Sequence, residues 1–110
     1  MSTRCDVLVK CGKFKIQMYH HTDGYIEYIG QHLVDFMKKE DVANQEYAAI
    51  AGENYVQKMI DDGFIITFCE HGDTEYHYEV DIEKKEVKAY NVNWKTRKKT
   101  FIGNLMKTLK

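Results

Sequence analysis

The hydrophobic pattern changes its period at Gly24, and this change constrains the fold more than any other feature of the chain. Apolar and polar residues alternate over 3–10 and again over 14–18, which predicts two half-buried strands. The segment Cys11-Gly12-Lys13 between them predicts a tight hairpin turn. From Ile26 onward apolar residues recur every three or four positions, which predicts an amphipathic helix.

The second half of the chain also alternates between helical and strand patterns. Its periodic segments predict a second helix over 44–61, strands over 64–70, 75–82 and 86–92, and a short C-terminal helix over 101–109. Turns at His71-Gly72-Asp73 and Lys84-Lys85 join the three strands. The predicted order is ββααβββα. Because short turns imply antiparallel neighbours, we expect a single α+β domain over residues 1–110, with helices packed on one face of a mostly antiparallel sheet.

The composition is typical of a soluble globular protein. Of the 110 residues, 44% are apolar and 30% are charged, which argues against a disordered chain, and no apolar run is long enough to cross a membrane. The segment after Met1 lacks the apolar core of a signal peptide. Cys5, Cys11 and Cys69 are scattered, which favours reduced thiols. We therefore expect a cytoplasmic protein without a membrane partner.

Charge is distributed unevenly along the chain. Residues 84–110 carry nine basic side chains and one acidic side chain, whereas residues 1–83 carry seven basic and sixteen acidic ones. In one interpretation, which we favour, the two sets face each other within the fold. In the other, the basic set forms a patch that meets a phosphate or an acidic partner.

Two histidines and a carboxylate follow the second predicted strand, in the segment Tyr19-His20-His21-Thr22-Asp23-Gly24-Tyr25. Imidazole and carboxylate groups bind zinc, manganese or iron, so His20, His21 and Asp23 are candidates for the metal site of a small hydrolase. We favour a structural interpretation without a cofactor, because the adjacent residues His20 and His21 point to opposite faces of a strand and cannot both lie beside Asp23. In it Asp23 and Gly24 form the turn, Asp23 or Thr22 caps the helix, and His21 bonds the backbone. The candidate binding residues of this segment are Tyr19, His21, Asp23 and Tyr25.

A second cluster lies in the predicted turn after the third strand. Cys69 and His71 are two residues apart on one strand face, so a thiolate–imidazole dyad is one interpretation, and Asp73 is a further carboxylate nearby. We favour the alternative that Cys69 is a core cysteine. In the hydrolase hypothesis, His71 or Asp73 would join the first cluster in space.

The segment Trp94-Lys95-Thr96-Arg97-Lys98-Lys99 combines one indole with four cations. A nucleic-acid module would use such a segment to stack a base and to hold phosphates. The alternative is that Trp94 closes the core, and the net charge of −1 is unlike that of a dedicated DNA-binding protein. Trp94, Arg97 and Lys98 are the candidate binding residues here. Tyr76 and Tyr78, two of eight tyrosines, are further candidates, because tyrosine is favoured in interfaces and pockets.

Several of these motifs together resemble a known family. The start Met1-Ser2-Thr3-Arg4, the motif Tyr19-x-His21-x-Asp23-Gly24-Tyr25 and the segment Gly72-Asp73-x-Glu75-Tyr76-x-Tyr78-x-Val80-Asp81 are similar to uncharacterised small proteins of bacteriophages and bacterial mobile elements. Those proteins typically begin Met-(Ala/Ser)-Thr-Arg and contain Tyr-x-His-Trp-Asp-Gly-Tyr. Thr22 replaces their Trp, and Ile26 replaces a frequent Pro. The resemblance implies a phage or mobile-element origin and implies no activity.

The sequence is compatible with three functions. We expect a non-enzymatic accessory protein of a phage or mobile element that binds a host protein or sequesters a small ligand, an anti-defence role such as CRISPR inhibition included. Its location would be the host cytoplasm, and a homodimer is compatible with the sequence. The alternatives are the metal-dependent hydrolase with His20, His21 and Asp23, and the nucleic-acid module with Trp94 and residues 95–99.

Overall fold

A computed structural model describes residues 3–109, so Met1 and Ser2, the first residues of the resemblance, lie outside the described residues. The strands are β1 (Cys5–Cys11), β2 (Phe14–His20), β3 (Ile65–Ile66), β4 (Tyr76–Asp81), β5 (Glu86–Val92) and β6 (Lys99–Asn104). The helices are α1 (Gln31–Lys38), α2 (Glu40–Ala43), α3 (Ala48–Asp61) and α4 (Leu105–Thr108), and a π-helical turn, Ile26–Gly30, precedes α1. In this part of the chain no helix has the length and apolar character needed to cross a lipid bilayer.

The strands form one mixed sheet in the order β3-β2-β1-β4-β5-β6. The central strands β1 and β4 run parallel, and the other neighbours are antiparallel. The predicted α+β class is therefore confirmed, with a sheet that is antiparallel outside its centre.

Two hairpins are confirmed where the sequence predicted them. β1 and β2 are joined through Gly12, which adopts φ +62°, and Cys11 pairs with Phe14. β4 and β5 are joined by a turn in which Lys85 adopts φ +55°, and Asp81 pairs with Glu86. Both turns need the left-handed backbone region, which is typical of tight connections between antiparallel strands.

The predicted hairpin between residues 64–70 and 75–82 is wrong. β3 has two residues and pairs with β2, where Met18 lies opposite Ile66, and the loop 67–75 then leaves the edge of the sheet. β4 instead pairs with β1, and Val9 lies opposite Val80 at the centre of the core. This central position buries the apolar side of β4 more completely than an edge position beside β3 would.

The predicted C-terminal helix over 101–109 is also wrong for its first half. Residues 99–104 form β6 beside β5, where the Phe101 ring lies 5.4 Å from that of Tyr90. The helix is reduced to α4, and the Asn104 side chain caps it by accepting a hydrogen bond from the Met106 amide at 3.2 Å. The apolar spacing over 101–109 fits a strand followed by one helical turn as well as it fits a helix.

The core joins side chains of the sheet to side chains of the helices. Side chains that alternate along the central strands meet helix residues in one buried cluster, which includes Val7, Val9, Tyr78, Val80, Leu33, Met37, Tyr55 and Met59. Asp6, His77, Glu79 and Lys88 are offset by one residue and therefore lie on the opposite, polar face.

Candidate functional site

At Gly24 the turn between β2 and the π-helical turn packs closely against the start of β1. Its amide donates to the Thr3 carbonyl at 2.8 Å, and its own carbonyl accepts a hydrogen bond from the buried Tyr78 hydroxyl at 2.7 Å. A Cβ atom at this position would lie 2.8 Å from the Cys5 Cβ and 2.9 Å from the Arg4 carbonyl carbon. Only glycine fits here, and Tyr78 has no exposed surface for a partner.

Asp23 shapes this turn through its backbone. It adopts φ +54°, and its carbonyl accepts the Ile29 amide at 3.3 Å. Tyr25 occupies the cap position of the π-helical turn and contributes no side-chain cap hydrogen bond. The predicted capping by Asp23 or Thr22 is therefore wrong, because backbone bonds close the turn. Tyr25 is partly exposed beside Tyr28, with ring centroids 6.2 Å apart.

The two adjacent histidines point to different surroundings. His20 is buried, and its ring nitrogens contact the carbonyl oxygens of Thr22 and, at 3.0 Å, Asp62. His21 is exposed, and its Nδ1 lies 3.2 Å from the Tyr19 hydroxyl. It is thus His20, and not His21 as predicted, that contacts the backbone. Among residues 3–109 no group of three or more His, Cys, Asp or Glu side chains is placed to hold a metal ion.

A polar cluster fastens the loop 67–75 to the sheet. The Tyr19 hydroxyl donates to Asp73 Oδ2 at 3.1 Å, and Arg4 Nε lies 3.1 Å from the same oxygen. The His71 ring stacks on the Tyr19 ring at a centroid distance of 3.9 Å. Burial, followed by the hydrogen bond to Asp73, raises the pKa of Tyr19 to about 12. We call Arg4, Tyr19, His21, His71 and Asp73 the Tyr19 cluster; its groups are engaged with one another.

Asp6 lies beneath this loop and is 1% exposed. Its Oδ2 accepts the His71 amide at 3.2 Å. Burial raises the pKa of Asp6 to about 6, although the hydrogen bonds from the His71 amide and the Thr74 side chain act in the opposite direction. The carboxyl group therefore helps to position the loop at a cost in electrostatic energy.

His77 is the neighbour of Asp6 on β4 and is also buried. Its Nε2 lies 3.3 Å from Glu79 Oε2, and its Nδ1 lies 3.6 Å from Glu70 Oε1. Burial lowers the pKa of His77 despite these carboxylates. Burial also acts to raise the pKa of Glu79, but Lys10 Nζ at 3.1 Å and His77 outweigh it, and that pKa lies below its ordinary value.

Arg97 connects the β5–β6 turn to the loop 67–75. Its guanidinium donates to the Thr74 carbonyl at 2.9 Å, to the Thr74 hydroxyl at 2.6 Å and to the His71 carbonyl at 3.0 Å. Its backbone adopts φ +59°. Arg97, a predicted binding residue, is thus engaged in hydrogen bonds to the loop, whereas Lys95 and Lys98 in the same turn are exposed.

A depression of about 600 Å³ lies between this turn and the start of β4. Its lining includes Asp73, Tyr76, Asn91, Trp94 and Arg97, and we call it the Trp94 depression. Trp94 is 72% exposed, so the prediction that it closes the core is wrong. Three sequence-predicted residues, Tyr76, Trp94 and Arg97, therefore converge here. The other six are not among the lining residues: Tyr19, His21, Asp23, Tyr25, Tyr78 and Lys98.

A second concave surface was not predicted from the sequence. It has a volume of about 410 Å³ and lies between β2 and α3, with Phe14, Ile16, Val56 and Ile60 among its lining residues. We call it the β2–α3 groove. Its signal was the width of the apolar arc on α3, where Val56 and Ile60 each follow a core residue by one position.

Cys69 is exposed on the loop 67–75, so the preferred prediction of a core cysteine is wrong. The strand predicted over 64–70 ends at Ile66, and the chain beyond it no longer follows the sheet. His71, the other member of the predicted dyad, stacks its ring on Tyr19.

No protein-family model matches this sequence, and comparisons with curated proteins and with solved structures found no significant similarity. The resemblance to phage and mobile-element proteins therefore stays a prediction.

Proposed function

We propose that this protein is a non-enzymatic binding protein that holds a partner protein at the Trp94 depression. The observation that supports this most directly is the 72% exposure of the Trp94 side chain at the rim of a concave surface. Tryptophan is among the side chains most enriched at the energetic centres of protein interfaces, where burial of the indole supplies much of the affinity.

The walls of the depression are ordered before any partner arrives. Asn93 Oδ1 accepts the amides of Lys95 at 2.9 Å and Thr96 at 3.1 Å, which closes the turn that carries Trp94. Arg97 ties the same turn to Thr74 and His71. Because these contacts already hold the backbone, binding loses little conformational entropy.

The two lysines of the turn favour an acidic partner surface beside the depression, whose own lining carries Asp73, Glu75 and Arg97. Lys95 and Lys98 are exposed, and Lys95 Nζ lies 5.2 Å from the centroid of the Trp94 ring. Complementary charge steers a partner toward the surface and excludes basic competitors. The resemblance of the sequence to phage and mobile-element proteins supports a host protein as the partner, with an anti-defence role such as CRISPR inhibition as its setting.

The other two predicted functions have weaker support. His20 and His21 point to different surroundings, so the metal hydrolase lacks a set of converging ligands in the described residues. A nucleic-acid module would use the cations that follow Trp94, but Arg97 is engaged with the loop and Lys99 pairs with Glu70 at 2.8 Å. Single-stranded nucleic acid is therefore tested as the alternative occupant of the same surface.

The test compares proteins captured from a bacterial lysate by the wild type, by Trp94→Ala and by Tyr47→Ala. Tyr47 is a matched control because it is also exposed and is not a lining residue of the depression. We expect the wild type and Tyr47→Ala to retain the same partner. Trp94→Ala should bind that partner with an affinity about 30-fold or more lower, because a residue at the energetic centre of an interface contributes about 2 kcal/mol or more. Equal retention by Trp94→Ala would contradict the proposal. Binding of oligothymidylate with a steep salt dependence, lost in Trp94→Ala, would instead favour nucleic acid.

A further inference from the structure

The outer edge of β2 is covered over part of its length. β3 pairs with Met18 and Tyr19, and the Thr67 amide then donates to the Gln17 carbonyl at 2.9 Å. β2 begins four residues earlier, at Phe14, and in residues 3–109 no strand lies on the outer side of its first three residues. Backbone amide and carbonyl groups of such an edge can pair with another extended chain.

The β2–α3 groove lies directly beside this uncovered edge. Phe14 and Ile16 of the edge strand face Val56 and Ile60 of α3 across it. Phe14 is 80% exposed and Ile60 is 42% exposed, and Ile66 of β3, which pairs with Met18 on the same face of the sheet as Ile16, is 59% exposed. A strand edge with an adjoining apolar groove can receive the backbone and one side chain of the same peptide.

Charge indicates the chemistry of that peptide. Lys15 lies between the groove-facing residues Phe14 and Ile16 and therefore points to the other side of the sheet. Its cross-strand neighbour is Lys10, which already pairs with Glu79 at 3.1 Å. A strand added outside β2 would place alternate residues beside Lys15, where an acidic side chain is favourable.

We infer that the β2–α3 groove binds an extended segment of a partner protein, in which an apolar residue enters the groove and acidic residues flank it. The segment adds to β2 beside Phe14–Ile16 as a strand. This inference goes beyond the proposed function, since the groove lies where β1 ends, at Val9 and Cys11, whereas Tyr76 of the Trp94 depression pairs with the first residue of β1.

A second copy of the chain fits this edge less well. Two β2 edges paired antiparallel around Phe14–Ile16 would bring Lys13 and Lys15 of one copy near those of the other. Like charges on neighbouring strands are destabilising. The same edge accepts an acidic peptide without this repulsion.

The test is a selection of random eight-residue peptides displayed on phage against the wild-type protein. We expect enrichment of sequences with apolar residues at alternate positions and with Asp or Glu between them. A selected peptide, labelled with fluorescein, is then titrated against the wild type, Ile60→Glu, Lys15→Glu and Ile102→Glu. Ile102 is a matched control on the opposite edge of the sheet, because its exposure is 46%, close to that of Ile60.

The expected results are a loss of affinity of at least about tenfold for Ile60→Glu, a smaller loss for Lys15→Glu and no change for Ile102→Glu. Thermal melts establish that the variants are folded, and Lys15→Glu tests the site even if Ile60→Glu unfolds. Trp94→Ala should bind the peptide normally, which separates this inference from the proposed function. The inference would be overturned if no sequence pattern is enriched, or if Ile60→Glu and Lys15→Glu both bind the peptide as tightly as the wild type does. A dimer in sedimentation that Ile60→Glu dissolves, without peptide binding, would assign the groove to a second copy.

Discussion

At the residue scale, Gly24 shows how one position decides the connection between strand and helix. Its amide and carbonyl bond to Thr3 and Tyr78, and the space for a Cβ is already occupied by the Cys5 Cβ and by backbone atoms of Arg4 and Cys5. Backbone atoms cannot move aside as the end of a flexible side chain can. Any larger residue must therefore displace either the turn or the strand.

Gly24→Ala is expected to destabilise the protein by about 3 kcal/mol, measured as the free energy of unfolding in urea. Gly72→Ala is the matched control, because a Cβ at Gly72 would meet no atom within 4 Å. If the two variants have equal stability, the close approach at Gly24 does not determine the turn.

Asp6 is a second position at which one group has a large effect. Its pKa of about 6 in the folded protein exceeds the ordinary 3.8, so the folded state binds the proton more tightly than the unfolded state does. Stability contributed by this group is therefore lost as the pH rises from about 4 to about 6. His77 on the neighbouring strand has a lowered pKa and acts in the opposite direction.

Asp6→Asn removes the charge and retains an oxygen that can accept the His71 amide. We expect this variant to be more stable than the wild type by about 2 kcal/mol at pH 7.5, because a buried carboxylate no longer has to ionise. The difference between variant and wild type isolates Asp6 from His77, and it should shrink as the pH falls toward 4. Urea unfolding at four pH values measures it; a difference that does not depend on pH would contradict the assignment.

At the element scale, local pairing was predictable and distant pairing was not. The hairpins at Gly12 and Lys85 follow from alternation on both sides of a short turn. The parallel pairing of β1 with β4 joins segments about seventy residues apart, and no local pattern encodes it. Once β4 takes that central position, the loop 67–75 has to cross from β3 to β4, and it does so over the polar face of the sheet, where His71 contacts Tyr19 and Asp6. Cys69 lies in this loop and is exposed.

The loop 67–75 and the β5–β6 turn form one unit through Arg97. Arg97→Ala removes three hydrogen bonds to Thr74 and His71, so we expect a stability loss of roughly 2 kcal/mol. Amide hydrogen exchange should also accelerate within residues 71–75. Lys98→Ala, in the same turn but exposed, should leave exchange unchanged. Equal exchange in the two variants would show that Arg97 does not hold the loop.

At the scale of the whole molecule, the basic side chains of residues 84–110 are matched in part by acidic side chains of residues 1–83. Lys99 pairs with Glu70 across the two sets, whereas Lys95 and Lys98 remain exposed beside Trp94. The favoured expectation that the two sets face each other therefore describes some of the charges. Lys95 and Lys98 lie in the turn that carries Trp94, where we propose that a partner binds, whereas Lys84, Lys85 and Lys107 are exposed elsewhere in residues 84–109.

The candidate site was predictable in its residue types and not in its shape. An indole among cations pointed to Trp94, and the structure adds the depression beside it. Arg97 was expected to bind a partner through its charge, but its guanidinium donates hydrogen bonds to the loop 67–75. The position of that loop depends on the distant pairing of β1 with β4. Predicting the β2–α3 groove would have required knowing which part of the β2 edge β3 leaves uncovered, and sequence periodicity does not show this.

The central claim is that a partner covers Trp94, and the protein contains a single tryptophan. This chain therefore contributes a single indole signal, and the emission of the partner measured alone is subtracted from that of the complex. The measurement is the emission spectrum of Trp94 and its quenching by acrylamide, before and after addition of the partner captured from the lysate. A blue shift with loss of quenching is the predicted result. An unchanged spectrum in a formed complex would contradict the account.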